Sequence, residues 1–382
     1  MKYTQKEQFI NRDKELDFLA QWISRKPQDI LFIYGPKSSG KTTLLHKFIE
    51  KHLTNKLFNI KHFNLREMLI ANYSDFIQAF FEIDYSKTTS GDIKQYNLKL
   101  FKLSKEIKQS LENKTLDPFV VMKKELEKIY KKGKQPVIII DELQALEDIY
   151  INGQRDLLKE LLNFFVALTK ESHLCHVIIA SSDGYFMNRI YNDSKLTKTS
   201  DFFEINYLYQ QDVYYWLTHL EQESGIKAFT LTDEQIEMIC KYLGGSIFEI
   251  SNILGKLISQ VKNKCVDNET IKKEINRLIT INCGKFEYYV KLNKQKFHLV
   301  KQILSIQENK QDFFQRDLYK LVSAKLYGDN DLSDELNNLV RMNILAFNPT
   351  TSSYAIQGNT LYYGLQQYIQ TVINSESIEI FN

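Results

Sequence analysis

The chain predicts an α/β fold: a parallel sheet covered by helices on both faces, a smaller helical domain, and a final unit of three helices and a hairpin. Three observations carry this. Unbroken apolar runs such as Ile30-Leu31-Phe32-Ile33-Tyr34 and Val137-Ile138-Ile139-Ile140 alternate with helical periodicity, the pattern of strands buried on both faces. The first of these runs enters a glycine-bounded loop and then a helix. Beyond Leu208 the strand signal stops until two short runs at 344–356.

Taken in order, Asn11 is placed to cap a first helix carrying Leu16, Leu19 and Ile23 on one face, which ends before Pro27. The strand 30–34 follows, then the loop 35–42 and a helix at 43–51. Residues 57–65 read as a second strand and 136–141 as a third, the latter closed by Asp141. The intervening residues, about 66–134, are too long for a plain crossover and read as a helical insertion with helices at 93–113 and 118–132. Residues 176–180 and 202–208 are the fourth and fifth strands. Thr232 and Gln235 form a capping box ahead of Ile236, Ile239, Cys240 and Leu243, and Gly244-Gly245 ends that helix. Helices at 294–308, 315–327 and 332–342, strands at 344–347 and 354–356, and the turn Asn348-Pro349-Thr350-Thr351-Ser352 give the order of a winged helix. The expected domains are therefore 1–208, a helical lid at 209–283, and 284–382. With 382 residues, 43% hydrophobic, there is material for two or three cores.

Composition narrows the function by exclusion. Lys+Arg 50 against Asp+Glu 47 leaves +3, too little to name a polyanionic partner. Cys175, Cys240, Cys265 and Cys283 stand far apart without metal-ligand spacing. No run approaches a membrane span and no export signal is evident at the N-terminus, so a reduced, cytoplasmic protein is expected. No constellation for a Ser-His-Asp hydrolase, a metal centre or a dinucleotide fold is present.

Gly35-Pro36-Lys37-Ser38-Ser39-Gly40-Lys41-Thr42, followed by Thr43, fits GxxxxGK[ST] in full. The glycines let successive N–H groups converge on phosphates at the positive end of the next helix. Lys41 would neutralise the β and γ phosphates of ATP, and Thr42 would turn its hydroxyl to Mg²⁺. Asp141, ending an apolar strand about 100 residues downstream, suits a metal-orienting acid, and Glu142 suits activation of water. In Ser181-Ser182-Asp183, after the fourth strand, one hydroxyl would reach the water or γ phosphate; Ser182 is favoured over Ser181, and a plain polar cap is the alternative.

Three segments, Phe9-Ile10-Asn11-Arg12-Asp13-Lys14-Glu15-Leu16, the loop with Thr43-Leu44-Leu45, and Ile138-Ile139-Ile140-Asp141-Glu142-Leu143-Gln144, together resemble the archaeal-type ATPase family. That family is akin to the AAA+, STAND and origin-recognition P-loop ATPases. The resemblance implies a P-loop NTPase core, a helical lid and a C-terminal winged helix, and brings residues from Phe9 to Arg12 against the adenine. Gln144 matches the family's DExQ. Gly244-Gly245 matches its lid GGxP, but Ser246-Ile247 follows and the proline is absent. Where relatives carry an arginine finger, this chain has Ser194-Lys195-Leu196-Thr197-Lys198-Thr199; Lys198 lacks the bidentate geometry of a guanidinium, and Arg189 and Arg155 are the nearby arginines.

The expected activity is slow ATP hydrolysis by a switch of AAA+/STAND type, with nucleotide state coupled to lid and winged-helix position. A homo-oligomer is compatible with it. The alternatives are a nucleic-acid-dependent ATPase of replication or mobile-element type and a non-hydrolysing assembly module. In the insertion, Lys94, Lys99, Lys102, Lys105, Lys108, Lys123, Lys124, Lys128, Lys131, Lys132 and Lys134 form either a solvated helix face or a nucleic-acid surface. In the helix at 332–342 the expected exposed positions are Asp331, Asp334, Glu335, Asn337, Asn338 and Arg341. Acids near its start favour a protein partner over DNA.

Overall fold

The computed structural model describes residues 9–54, 56–83, 101–151, 155–193, 196–261 and 264–374. Its centre is a five-stranded sheet in the order Phe58–Asn64, Gln135–Asp141, His176–Ala180, Ile30–Tyr34, Ser200–Glu204, every pairing parallel. Alternate residues supply opposite faces. Phe32, Ile138, Ile140, Val177 and Ile179 join the cluster beneath the insertion, while Leu31, Ile33, Val137, Ile139 and Ile178 pack on Leu16, Leu19, Leu44, Leu45 and Phe48. Burial on both faces is why these strands run apolar without alternation. The strand order reverses at Ile30–Tyr34, which opens a crevice at the carboxyl ends of the strands.

Several local expectations are corrected. Asn11 does not cap the first helix, which spans Asp13–Ile23 behind Arg12; Asn11 has φ +43° and its amide bonds Asp212 of the lid. The fifth strand stops at Glu204, where Ile205 to Leu208 become the link into the lid. The helix expected at 93–113 begins only at Lys105, capped by Ser104. Ahead of it, Phe101–Leu103 pairs in parallel with Phe81–Ile83, because Phe101 and Leu103 alternate with exposed Lys102 at the period of a strand. Lys94 and Lys99 lie outside the described residues.

Five helices follow the sheet: Gln210–Thr218, Leu220–Ser224, Asp233–Leu243, Ile247–Ile258 and Asn268–Val290. The capping box of Thr232 and Gln235 is present, with backbone-to-side-chain distances of 3.1 and 3.3 Å. The last helix runs unbroken through position 283. Ile271, Ile275 and Ile279 belong to the lid cluster, whereas Cys283, Phe286, Tyr289 and Val290 belong to the next one. That C-terminal cluster joins helices Lys294–Gln307, Tyr319–Ser323 and Asp329–Arg341 to the antiparallel pair Leu345–Asn348 and Ser353–Ile356. The final helix, Asn359–Asn374, lies back on Asn268–Val290. Gly364 permits this, since a Cβ there would stand 2.8 Å from that of Asn282.

Three positions expected on the outside of Asp329–Arg341 are covered: Asn337 is buried, Asn338 is half-buried, and Glu335 is half-buried, accepting from the Tyr289 hydroxyl at 2.8 Å. The hairpin turn docks on the core beside the crevice. The Tyr34 hydroxyl lies 3.2 Å from both Asn348 Oδ1 and Thr350 Oγ1 and 3.3 Å from Glu204, and burial pushes it up to about 12. Asn348 Nδ2 also donates to Glu204 at 3.2 Å. A side chain at Gly184 would collide with the Phe347 carbonyl, its Cβ 1.9 Å away. Among the described residues no helix is long and apolar enough to cross a membrane. Cys175, Cys240 and Cys283 are buried and Cys265 is exposed, all as free thiols.

Candidate active site

The loop after Ile30–Tyr34 turns on residues at positive φ: Gly35 at 151°, Ser38 at 65° and Gly40 at 91°. Gly35 admits nothing larger, because a Cβ would lie 2.1 Å from the Ile205 carbonyl oxygen. The helix Lys41–Phe48 begins directly behind it, so the positive end of that helix faces the crevice. Behind the loop, buried Arg12 donates to the Ser39 carbonyl at 3.0 Å and to the Asn206 carbonyl at 2.6 Å.

Lys41 is buried, and its Nζ donates to the carbonyls of Gly35 and Pro36 at 2.9 and 2.8 Å. Burial lowers it to about 8, against the pull of the Glu142 and Asp141 carboxylates. The Thr42 hydroxyl donates to Asp141 Oδ2 at 2.7 Å. Asp141 Oδ1 is buried and has no hydrogen-bond partner among the described residues. A hydroxyl and a buried carboxylate with a vacant oxygen are the oxygen donors that Mg²⁺ takes, so these two residues fit the ion.

Glu142 adopts φ +64°, ψ +52°, and lies beside Asp141 at the crevice. Its carboxylate accepts from the Arg66 guanidinium, the Gln144 amide and, at 3.2 Å, the Ser182 hydroxyl. Burial raises its pKa, with Arg66 the main opposing influence. The two serine alternatives separate here. Ser181 is buried and donates to Gln144 Oε1 at 2.9 Å, whereas Ser182 lines the cavity.

That cavity, about 720 Å³, is walled on the core side by Lys37, Ser38, Gly40, Lys41, Thr42, Thr43, Arg66, Glu142 and Ser182. Ile247, Phe248, Ser251 and Asn252 of the lid close the other side. Phe9 and Arg12 are not in its lining. Phe9 is half-buried under the Lys51 ammonium, Ile10 enters the lid cluster, and this N-terminal segment ties loop to lid. Gly245 lies in the seam between lid and core, where a Cβ would be 1.9 Å from the Leu208 carbonyl oxygen and the Leu208 N–H donates to the Gly245 carbonyl at 3.1 Å. Arg189 is ion-paired with Glu147, Arg155 and Lys198 are exposed, and none of the three lines the cavity. Ser194 and Lys195 are outside the described residues.

Sequence reasoning missed Arg66 and the lid residues. The signal for Arg66 was its place just after a parallel strand. The register sets Asn64 beside Asp141, so residues following both strands meet in one crevice.

Comparison with known proteins agrees with this geometry. A family described as an ATPase domain predominantly from Archaea matches residues 9–253. An uncharacterised ATP-binding protein of Methanocaldococcus jannaschii is 34% identical over 369 residues, covering 95% of each chain. A second from the same organism is 37% identical over 269 residues, 70% of this chain and 75% of that one. Among solved structures, a Walker-type ATPase of Pyrococcus abyssi aligns with TM-score 0.63 at 16% identity, over 95% of this chain and 97% of that one. The Aeropyrum pernix ORC2 protein, solved in ADPNP-ADP complexes, aligns with TM-score 0.55 at 14% identity over 98% of both. The likeness of fold to these solved structures spans 95% and 98% of this chain, and the matched domain together with the two relatives establishes that the protein belongs to the family of ATPase domains found predominantly in Archaea.

Proposed function

We propose that the protein hydrolyses ATP slowly and acts as a switch, its nucleotide state setting the positions of lid and C-terminal unit. The observation that carries hydrolysis is Glu142: a buried carboxylate on the wall of the phosphate cavity, beside the Thr42–Asp141 pair. In this reading the loop N–H groups and Lys41 bind the phosphates, and Thr42 and Asp141 hold Mg²⁺, which when bound neutralises phosphate charge. Glu142 accepts the proton of the attacking water, and Ser182 orients that water. Slow turnover fits the three donors already on the Glu142 carboxylate, which favour its charged form and so oppose its taking a proton.

Coupling is supported from two sides. The lid supplies a cavity wall directly, and the hairpin turn clasps Tyr34, the residue before Gly35. The C-terminal unit reads as a winged helix facing protein, because the end of Asp329–Arg341 is turned toward the protein's own core and Asp331 and Asp334 are exposed at its start. A nucleic-acid-dependent ATPase is the second reading, favoured by the exposed Lys123, Lys124, Lys128, Lys131, Lys132 and Lys134 on and after Pro118–Lys131. Nucleotide-dependent self-assembly and a cytoplasmic setting, which suits the free thiols, belong to the same proposal.

The test is a pair of variants in the full chain. Lys41→Ala should abolish tight ATP binding. Glu142→Gln should bind ATP as before and lose turnover by about a hundredfold or more. Equal loss of binding in both would remove Glu142 from its assigned role.

A further inference from the structure

The phosphate cavity has a third wall. Next to it lies a space of about 530 Å³ that shares Lys37, Arg66, Glu142 and Ser182 with it and is closed by Val340, Arg341 and Asn343 of the C-terminal unit. The shared residues are those that face the far end of a phosphate chain seated on the loop. The two spaces therefore meet where the terminal phosphate belongs.

Of the four cations around this meeting point, Lys37, Lys41, Arg66 and Arg341, two are committed. Lys41 is held by two loop carbonyls, and Arg66 by Glu142. The lid wall, Ile247, Phe248, Ser251 and Asn252, carries no cation at all. Arg341 is exposed, and among the described residues its guanidinium makes no ion pair or hydrogen bond. Its position is also fixed relative to the loop. With the Gln357 amide oriented to satisfy both neighbours, its nitrogen donates to the Asn343 carbonyl at 3.1 Å and its oxygen accepts from the Lys37 N–H at 3.1 Å. One side chain thus bridges the segment just after Arg341 to the phosphate loop.

We propose that Arg341, carried by the C-terminal unit of the same chain, is a ligand of the terminal phosphate of ATP. A guanidinium is suited to this because its planar donors grip phosphate oxygens in pairs. ATP offers the phosphate it grips and ADP does not, so ATP adds to the docked C-terminal unit a contact that ADP does not supply. This rests on the ATP site proposed above and adds to it the residue through which the C-terminal unit reads the nucleotide. An arginine in the last turn of a helix also complements the helix dipole, a purely structural role that favours neither nucleotide.

The experiment measures affinities of full-length protein for a non-hydrolysable ATP analogue and for ADP, each with Mg²⁺, in the parent and in Arg341→Ala, Arg341→Lys and Lys41→Ala. Expected is a fall of about tenfold to a hundredfold in affinity for the ATP analogue in Arg341→Ala, with ADP affinity within about twofold and partial recovery in Arg341→Lys. A melting temperature without nucleotide that matches the parent separates this from loss of folding; if Arg341→Ala melts early, Arg341→Lys alone decides, through the ATP-to-ADP ratio. Equal effects on both nucleotides, or none on either, would overturn the assignment of Arg341. Parent-like nucleotide binding in Lys41→Ala would instead overturn the ATP site itself.

Discussion

Lys41 should give pH two opposite effects on this protein. In the unfolded chain its ammonium keeps its proton to about 10.5, whereas in the nucleotide-free fold burial brings that to about 8. Below pH 8 the buried charge therefore weakens the fold by about 3 kcal/mol, and this is recovered as pH rises from 8 towards 10.5, where the folded state has released a proton that the unfolded state still holds. Nucleotide reverses the balance. Phosphates beside Nζ favour the ammonium and return its pKa towards the ordinary value, so binding above pH 8 takes up a proton. With that proton retained in the complex, affinity at pH 9.5 should be about twentyfold weaker than at pH 7.5. Titration calorimetry in two buffers of different ionisation heat reads both the affinity and the proton uptake, and thermal melts of the nucleotide-free protein read the stability. Lys41→Met should abolish both trends. An affinity that stays flat from pH 7.5 to 9.5, or a slope that survives in Lys41→Met, would refute the buried-ammonium account.

Arg66 is the main influence holding the Glu142 pKa down against burial, so Arg66→Ala should move the acidic limb of the kcat profile to higher pH. An unmoved limb would show that the guanidinium does not govern that carboxylate. Charge reversal at Lys124, Lys128 and Lys131 should lower the salt slope of duplex DNA binding by about 0.9 for each phosphate no longer neutralised; an unchanged slope would mark these lysines, including Lys128 paired with Glu125 at 2.5 Å, as a solvated face.

Read alone, the sequence settled what depends on neighbours along the chain. The run Ile30–Tyr34 into Gly35 to Thr42 and the run ending in Asp141-Glu142 were legible because strand burial, positive φ at glycine and helix starts are written within a few residues. The same holds for the capping box at Thr232 and the five core strands. Errors fell where a local preference met a distant partner: Asn11 suits a cap, yet its amide is claimed by Asp212, 201 positions away. Phe101 and Leu103 form a strand because Phe81–Ile83 lies alongside, a pairing that no periodicity across the intervening residues reveals.

The site divides in the same way. The loop, Asp141 and Glu142 were readable from spacing, while Arg66 on Glu142, Ser181 turned to Gln144, Phe248 from the lid and Arg341 from the C-terminal unit were not. Each of these reaches the crevice only through the strand order, which sets the end of Phe58–Asn64 beside that of Gln135–Asp141, and through the docking of two later units on the core. Local sequence specifies which backbone shapes and charges a segment offers. Which offers meet is decided by the burial of whole faces against one another, a free energy spread over hundreds of residues and absent from any short stretch of them.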